Sequence, residues 1–188
     1  MSLRSTTVTR VSVDDFLTGP FPRGAWLIDG EVVVNDPTLL HQEVCARLLR
    51  ALWAWIERSG GHAGYGGNWL VAPDTVLKPD VWWITPARRA SIDLAATIVT
   101  GPPDLAVEVR SPGTWTIDLG RKRERYEAAG LPELWLVDPP ARSVLVYRRS
   151  SPSAPAFDEF AELMSGEVLT TPVLPGFAVE VASLFPTD

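Results

Sequence analysis

Three ionisable residues stand within or beside apolar stretches of the segment 79–126. Asp80 opens the run VWWI, Glu108 lies inside the run LAVEV, and Lys122 lies in the helical stretch that follows. A carboxylate in so apolar a strand is costly unless a positive group meets it. The sequence therefore predicts that Glu108 contacts either a divalent metal ion or the side chain of an arginine or lysine.

These residue types suit chemistry on a phosphate group. Two carboxylates on adjacent strands, with a neighbouring backbone carbonyl and a lysine, make an oxygen-rich site of the kind that Mg²⁺ prefers. Such an ion lowers the pKa of a bound water molecule and stabilises charge on a phosphate in transit. The lysine would orient the nucleophile or neutralise the negative charge that develops.

Two strands must position the carboxylates. Pro79 cannot donate to a strand ladder and suits a first position, so the run 81–84 is predicted to be a buried strand with Asp80 at its mouth. The second strand is predicted over 105–110, where side chains alternate between two faces.

In that second strand Glu108 shares its face with Arg110 and Ala106, opposite the apolar odd-numbered residues. Asp104 is on the same face but lies about 13 Å from Glu108, at about 3.3 Å per residue. We therefore exclude Asp104 from the same metal shell.

A helix must position the lysine. It is predicted over 117–129, and Asp118, Lys122 and Tyr126 share one face of it because they are four residues apart. A buried strand is predicted next, over 134–137. Strand, helix and strand over this length form a crossover unit, so the strands before and after the helix should be parallel.

Other elements follow from turn and cap residues. A hairpin is predicted over 25–34, with Asp29-Gly30 in a type I′ turn. Asp36-Pro37 is predicted to open a helix that runs to about Arg58. Segments 157–163 and 168–169 are predicted to form an edge hairpin.

The long helix brings a histidine toward the core. Its helical period predicts that His41 projects into the buried stripe and that Glu43 points away from it. His41 is therefore either a hydrogen-bonded core histidine or a residue that lines the site. The stripe is predicted to contain Leu40, Val44, Leu48, Ala51 and Trp55.

Composition describes an ordinary globular chain of 188 residues, 46% hydrophobic and 21% charged. We expect a loosely held segment over 1–11 and a single domain over 12–188. The net charge of −6 argues against strong nonspecific DNA binding by bulk charge.

The single cysteine, Cys45, excludes an intrachain disulfide and a cysteine-cluster zinc site. With no secretory signal and no apolar run long enough for a membrane span, a cytoplasmic protein is expected.

An ordered set of motifs resembles the bacterial Uma-two restriction endonuclease family of the PD-(D/E)XK nuclease superfamily. The resemblance covers residues from about 12 to 186. It is carried by IDGE at 28–31, His41, PD at 79–80, the segment 104–112, the lysine helix residues 118–126, the strand 135–139 ending in DP, and LPGF at 174–177.

The resemblance implies a single α/β domain of the restriction-endonuclease-like fold, a mixed sheet flanked by helices. It implies a metal-dependent endonuclease that hydrolyses DNA, with Mg²⁺ as the cofactor and Mn²⁺ as a substitute. Asp80, Glu108 and the Val109 carbonyl would hold the ion.

One departure concerns the superfamily lysine, which stands two residues after the glutamate, where this chain has Arg110. Arginine remains protonated and activates water poorly, so the resemblance implies that Lys122 supplies the amine. Arg110 would contact the scissile phosphate or clamp Glu108, and His41 would line the site.

A second hypothesis belongs to another class of protein. In it Glu108, Arg110 and Lys122 form an internal ion-pair network, no metal binds, and the chain is a catalytically silent module that interacts with nucleic acid or protein. A third hypothesis is that a homodimer is needed to form the DNA cleft.

Overall fold

A computed structural model describes residues 10–186, which include every motif named above. The expectation of a loosely held segment over 1–11 falls almost entirely outside these residues. The helices are α1 (Val13–Thr18), α2 (Leu39–Ser59), α3 (Pro86–Ser91), α4 (Trp115–Ile117) and α5 (Arg123–Ala128), with a π-helical turn at Asp118–Lys122 and a 3₁₀ turn at Val181–Leu184.

The strands fall into two larger sheets and one two-stranded sheet. They are β1 (Ala25–Ile28), β2 (Glu31–Val34), β3 (His62–Gly64), β4 (Trp69–Ala72), β5 (Thr75–Leu77), β6 (Val81–Ile84), β7 (Val99–Thr100), β8 (Leu105–Val109), β9 (Glu133–Asp138), β10 (Ser143–Arg148), β11 (Glu159–Met164), β12 (Val168–Thr170) and β13 (Ala178–Glu180).

The six-stranded sheet has the order β11-β10-β9-β8-β6-β3 and carries the predicted carboxylates. β8 and β9 are parallel, as the crossover predicted, and the other neighbours are antiparallel. The predicted fold class, a single α/β domain with a mixed sheet flanked by helices, is confirmed.

The five-stranded sheet has the order β2-β1-β5-β4-β7 and contains the predicted hairpin. Asp29 and Gly30 turn the chain with φ values of 52° and 75°, both in the left-handed region that a type I′ turn requires. The hairpin matters to the site because it places Trp26 of β1 against the helical residues that follow β8, including Tyr126.

Two apolar layers cover the faces of β8. Leu105, Val107 and Val109 pack against α2 and the C-terminal segment. On the opposite face Ala106 packs in a cluster that includes Trp26 and Tyr126. Glu108 has the same parity as Ala106, so its carboxylate is buried between the sheet and the helix that follows β8.

That helix has three consecutive parts, α4, the π-helical turn and α5, and we call residues 115–128 the lysine helix. The sequence predicted one regular α-helix over 117–129. A π turn amounts to an extra residue within a helix and is frequent at functional sites. Here it contains Lys122.

The start of α2 differs from the prediction. The N-cap is Thr38, whose hydroxyl accepts the His41 N–H at 3.2 Å, and Asp36-Pro37 lie before the helix. Leu40, predicted to be buried, is 41% exposed, because the stripe turns inward only from His41 onward. The helix ends at Ser59, one residue beyond the predicted end at about Arg58, and Gly60 caps it with φ of 79°.

The predicted edge hairpin is wrong. β11 pairs with β10 in the six-stranded sheet, whereas β12 pairs with β13 from the C-terminal segment. The C-terminal segment that contains β13 is apolar enough to pair with β12. A local turn pattern does not reveal that long-range pairing. Within residues 10–186, no helix has the length and hydropathy needed to cross a membrane.

Candidate active site

The two predicted carboxylates face each other across neighbouring strands. In the antiparallel register of β6 and β8, Val81 pairs with Val107. Continued by one residue, that register places Asp80 opposite Glu108, at the separation of a cross-strand pair. The Val109 N–H donates to Asp80 Oδ2 at 2.8 Å, which ties the mouth of β6 to the end of β8.

Glu108 is 2% exposed and accepts two hydrogen bonds from the lysine helix. Lys122 Nζ donates to Oε2 at 2.5 Å, and the Tyr126 hydroxyl donates to Oε1 at 2.8 Å. Both donors come from the helix face that the four-residue spacing predicted. Glu108 thus meets the positive partner that its burial demands.

Lys122 is held from three sides. Besides Glu108, its ammonium lies 3.5 Å from Asp118 Oδ1 and 4.7 Å from the centroid of the Trp26 ring. Trp26 offers the face of its ring to the ammonium, a favourable cation–π arrangement. The lysine therefore projects back over the sheet, toward the carboxylates.

A chain of hydroxyl groups fixes Asp118. Its Oδ2 accepts from Thr114 Oγ1 at 3.1 Å, and Thr114 shares a hydrogen bond of 2.8 Å with Ser111 Oγ. Ser111 in turn donates to Asn35 Oδ1 at 2.8 Å. This chain connects the break after β8 with the segment before α2, and it orients the carboxylate that faces Lys122.

His41 approaches Asp80 from α2. Its Nε2 lies 3.0 Å from Asp80 Oδ2, and its ring is 4% exposed. The Thr38 cap fixes the first turn of the helix, so the histidine is well placed to orient the aspartate. His41 is thus a buried, hydrogen-bonded residue, and it lines the same cavity as Asp80.

Three carboxyl groups, those of Asp80, Glu108 and Asp118, surround the single ammonium of Lys122. Burial raises the pKa of Glu108 to about 8, with Lys122 opposing the shift and Asp80 and Asp118 adding to it. Burial also raises the pKa of Asp118. Burial would lower the pKa of Lys122, but the charges of Glu108 and Asp118 outweigh burial and hold it above its ordinary value.

These side chains line one cavity of about 350 Å³, which we call the carboxylate cavity. Its wall contains Asp80, Glu108, Asp118 and Lys122 as well as His41. Further lining residues used below are Arg23, Trp26, Tyr65, Gly66, Lys78 and Thr114.

The donors in the carboxylate cavity fit a hard divalent cation. Within the described part of the chain, no three histidine, cysteine, aspartate or glutamate side chains are grouped to hold a metal. Two carboxylates and a carbonyl remain. Asp80 uses only Oδ2 for its hydrogen bonds to described residues, which leaves Oδ1 for a ligand. The Val109 N–H points to Asp80, and in an extended strand the carbonyl of that residue points to the same edge.

Arg110 does not contact Glu108, so the expected clamp is absent, while its expected contact with the scissile phosphate stays a prediction. β8 ends at Val109, and the Arg110 guanidinium donates to both oxygens of Asp138 at the end of β9, at 2.8 and 3.1 Å. It also lies over the ring of Trp115. Arg110 neither clamps Glu108 nor lines the carboxylate cavity.

Three residues of the site were not assigned to it from the sequence. Asp118 and Tyr126 were placed on the correct helix face, and their spacing from Lys122 was the signal that could have identified them. Trp26 carries no such signal, since its position beneath Lys122 depends on how the five-stranded sheet packs against the lysine helix.

Comparisons with known proteins identify a matching family model and a similar fold. The family model Uma2, described as "Putative restriction endonuclease", matches residues 20–183. The fold is similar to the crystal structure of a protein from Anabaena variabilis ATCC 29413 described as "a putative nuclease belonging to DUF820". That similarity has a TM-score of 0.77 and covers 93% of this chain and 97% of the other, at 18% sequence identity. No curated protein matches the sequence of this chain.

Proposed function

The chain belongs to the Uma2 family, and on that premise we propose that it is a metal-dependent endonuclease that hydrolyses phosphodiester bonds in DNA. The observation that carries the proposal is the convergence of Asp80, Glu108 and Lys122 on one cavity. The description of the family as restriction endonucleases indicates the class of reaction, hydrolysis of phosphodiester bonds. The fold shared with a protein described as a nuclease is consistent with it.

We assign Asp80, Glu108 and the Val109 carbonyl to hold Mg²⁺, with Mn²⁺ as a substitute. All three donors are oxygen atoms, the kind that these ions prefer. When bound, such an ion would lower the pKa of a water molecule and stabilise charge on the phosphate.

The remaining side chains position the reacting groups. Lys122 would orient the nucleophile or neutralise developing negative charge, because its ammonium is aimed at the carboxylates from the helix. Asp118 and Thr114 hold Lys122 in that position, and His41 holds Asp80. Asp118, Thr114 and His41 are thus positioning residues rather than catalytic ones.

A cleavage assay tests the proposal. Plasmid and single-stranded DNA are incubated with Mg²⁺, with Mn²⁺, and with EDTA, for the wild type and for Glu108→Gln and Lys122→Met. Glu43→Gln is the matched control, because Glu43 is an exposed carboxylate that pairs with Arg47 on α2 and lies outside the cavity. We expect metal-dependent cutting in the wild type and control, and its loss in both site variants. Equal cutting by all four proteins would reject the site.

A second candidate function is supported by one specific observation. Lys122 and Tyr126 already occupy both oxygens of Glu108, which is the internal network expected of a catalytically silent module. Arg110 takes no part in that network, since it pairs with Asp138. Calorimetric titration with Mn²⁺ separates the candidates: binding that Glu108→Gln abolishes supports the nuclease, and no binding supports the silent module.

We also propose that the protein acts in the cytoplasm and that a homodimer is its DNA-binding form. Cys45 is a free, buried cysteine, as a reducing compartment allows. Sedimentation at several protein concentrations tests the dimer. A monomer at every concentration, together with DNA cleavage, would reject it.

A further inference from the structure

A second cavity, of about 550 Å³, adjoins the carboxylate cavity. We call it the aromatic pocket, because Tyr65, Trp69 and Trp82 contribute to its wall. The opposite wall comes from the irregular segment between α3 and β7, including Leu94 and Thr97. The volume lies in the ordinary range for a site that takes a small organic group.

The two cavities share one wall. Arg23, Tyr65, Gly66 and Lys78 line both of them. The Gly66 N–H donates to the Pro79 carbonyl at 2.9 Å, so the loop that carries Tyr65 is fixed to the residue directly before Asp80. Tyr65 itself is 73% exposed and stands at the boundary between the cavities.

Strand β6 determines how far apart the carboxylate cavity and the aromatic pocket lie. Trp82 follows Asp80 by two residues and therefore faces the same side of the strand, about 6.6 Å further along. The two cavities are therefore close enough together that one nucleic acid strand can reach both of them.

The lining suits a flat, uncharged group joined to an anion. Trp69 and Trp82 meet edge to face, with ring centroids 5.3 Å apart, and Tyr65 adds an exposed ring. The shared wall carries two cations, Arg23 and Lys78, where the backbone of a nucleic acid would pass. Aromatic rings bind bases of any sequence by stacking.

Two buried polar atoms of the lining residues lack a hydrogen-bond partner among residues 10–186. They are the Trp82 Nε1 donor and the Asn68 Oδ1 acceptor. Burying a polar atom without a partner costs free energy. A base edge presents both donors and acceptors, and it would partner these atoms if it displaced the side chains that cover them.

We propose that the aromatic pocket takes one unpaired nucleobase of the DNA strand whose phosphodiester lies in the carboxylate cavity. The proposal rests on the nuclease function proposed above and gives it a substrate class: single-stranded DNA, or duplex with an unpaired base beside the cut. A paired base cannot enter, because it must first leave the stack.

Fluorescence anisotropy in EDTA tests the pocket without any cleavage. The probes are a labelled single-stranded oligonucleotide, the same sequence as a full duplex, and that duplex with one unpaired base. We expect Tyr65→Ala to weaken binding of the first and third probes about 5- to 150-fold, the range for loss of one base–aromatic stack. Tyr65→Phe should bind like the wild type, because the ring remains.

The matched control is Phe160→Ala, which removes an aromatic side chain that is 60% exposed on β11, away from both cavities. It should change none of the three affinities. Photocrosslinking with a strand that contains 5-iodouracil provides a second readout, and it should label Tyr65 or Trp82.

Failure of the pocket can be told apart from failure of the nuclease. If the wild type cuts DNA with metal but Tyr65→Ala binds all three probes as the wild type does, the pocket is rejected and the nuclease stands. An equal loss on all three probes also rejects it, because Tyr65 would then contact only backbone. If the wild type neither cuts nor binds any probe, both proposals fail.

Discussion

Among the carboxyl groups of the carboxylate cavity, Glu108 is the one whose pKa is raised to about 8 by its surroundings. Its contacts with Lys122 and Tyr126 are short, yet burial and the charges of Asp80 and Asp118 raise its pKa to about 8. In the unfolded chain a glutamate ionises near pH 4.3. The folded state therefore holds this proton more tightly than the unfolded state.

This difference predicts how stability depends on pH. Because the folded pKa of Glu108 is raised, its protonation favours folding at low pH, and that contribution is lost as the pH rises from about 4.3 to about 8. Glu108→Gln cannot titrate, so its stability relative to the wild type should increase over that window. Urea unfolding in EDTA at several pH values measures the difference. A wild type that gains stability over Glu108→Gln as the pH rises would contradict the raised pKa.

Arg110 gives a contrasting prediction at the same scale. Its guanidinium pairs with Asp138 and lies over Trp115, outside the carboxylate cavity. The side chain of Arg110 is 37% exposed in this pair, whereas that of Asp138 is only 12% exposed. Arg110→Ala should therefore keep metal-dependent cleavage close to that of the wild type but lower stability by about 1–3 kcal/mol, because a largely buried carboxylate loses its partner. Loss of cleavage with normal stability would place Arg110 in the site after all.

The lysine helix decides where the ammonium points. Lys122 ends the π-helical turn, and Tyr126 follows it by four residues in α5, so both reach Glu108 from one face. Each residue of an α-helix rotates the chain by about 100°. One residue more or less between α4 and α5 would therefore turn Lys122 away from its partners or move α4 against the sheet.

Deletion of Gly120 tests the π-helical turn. Removing one residue should convert the turn to regular α-helix and break the alignment of Asp118 with Lys122. We expect a folded protein by circular dichroism that has lost metal affinity and cleavage. The matched control is Gly120→Ala, because a Cβ there meets nothing within 4 Å and alanine favours helix by about 1 kcal/mol. A deletion variant that still binds Mn²⁺ like the wild type would show that the π turn is not required.

Local patterns predicted the elements that carry the site, and tertiary contacts decided the rest. The alternation of side chains in β8 correctly predicted which face of the sheet Glu108 occupies. The strand-helix-strand unit correctly predicted that β8 and β9 are parallel. Alternation failed for Arg110 because the strand ends one residue earlier and Asp138 captures the guanidinium. The N-cap was misplaced because Asp36 and Thr38 are both good caps in sequence, and only the folded chain selects Thr38.

The whole molecule carries a net charge of −6, which an enzyme that acts on a polyanion must overcome locally. The cations that line the two cavities are Arg23, Lys78 and Lys122. Lys122 is engaged by Glu108 and Asp118. In the proposed complex, contact with the nucleic acid backbone should therefore involve few phosphates, and affinity should depend on the aromatic pocket more than on bulk charge.

This charge distribution predicts a shallow dependence of binding on salt. With at most three cations at the cavities, the slope of log K against log salt for single-stranded DNA should be no steeper than about −2, at roughly −0.7 per neutralised phosphate. Arg23→Ala should reduce its magnitude by about 0.7. Arg50→Ala, which changes an exposed arginine of α2 outside both cavities, should leave the slope unchanged. A wild-type slope of about −4 or steeper would mean that more than five phosphates are neutralised, which one chain with these two cavities does not provide and a second copy would.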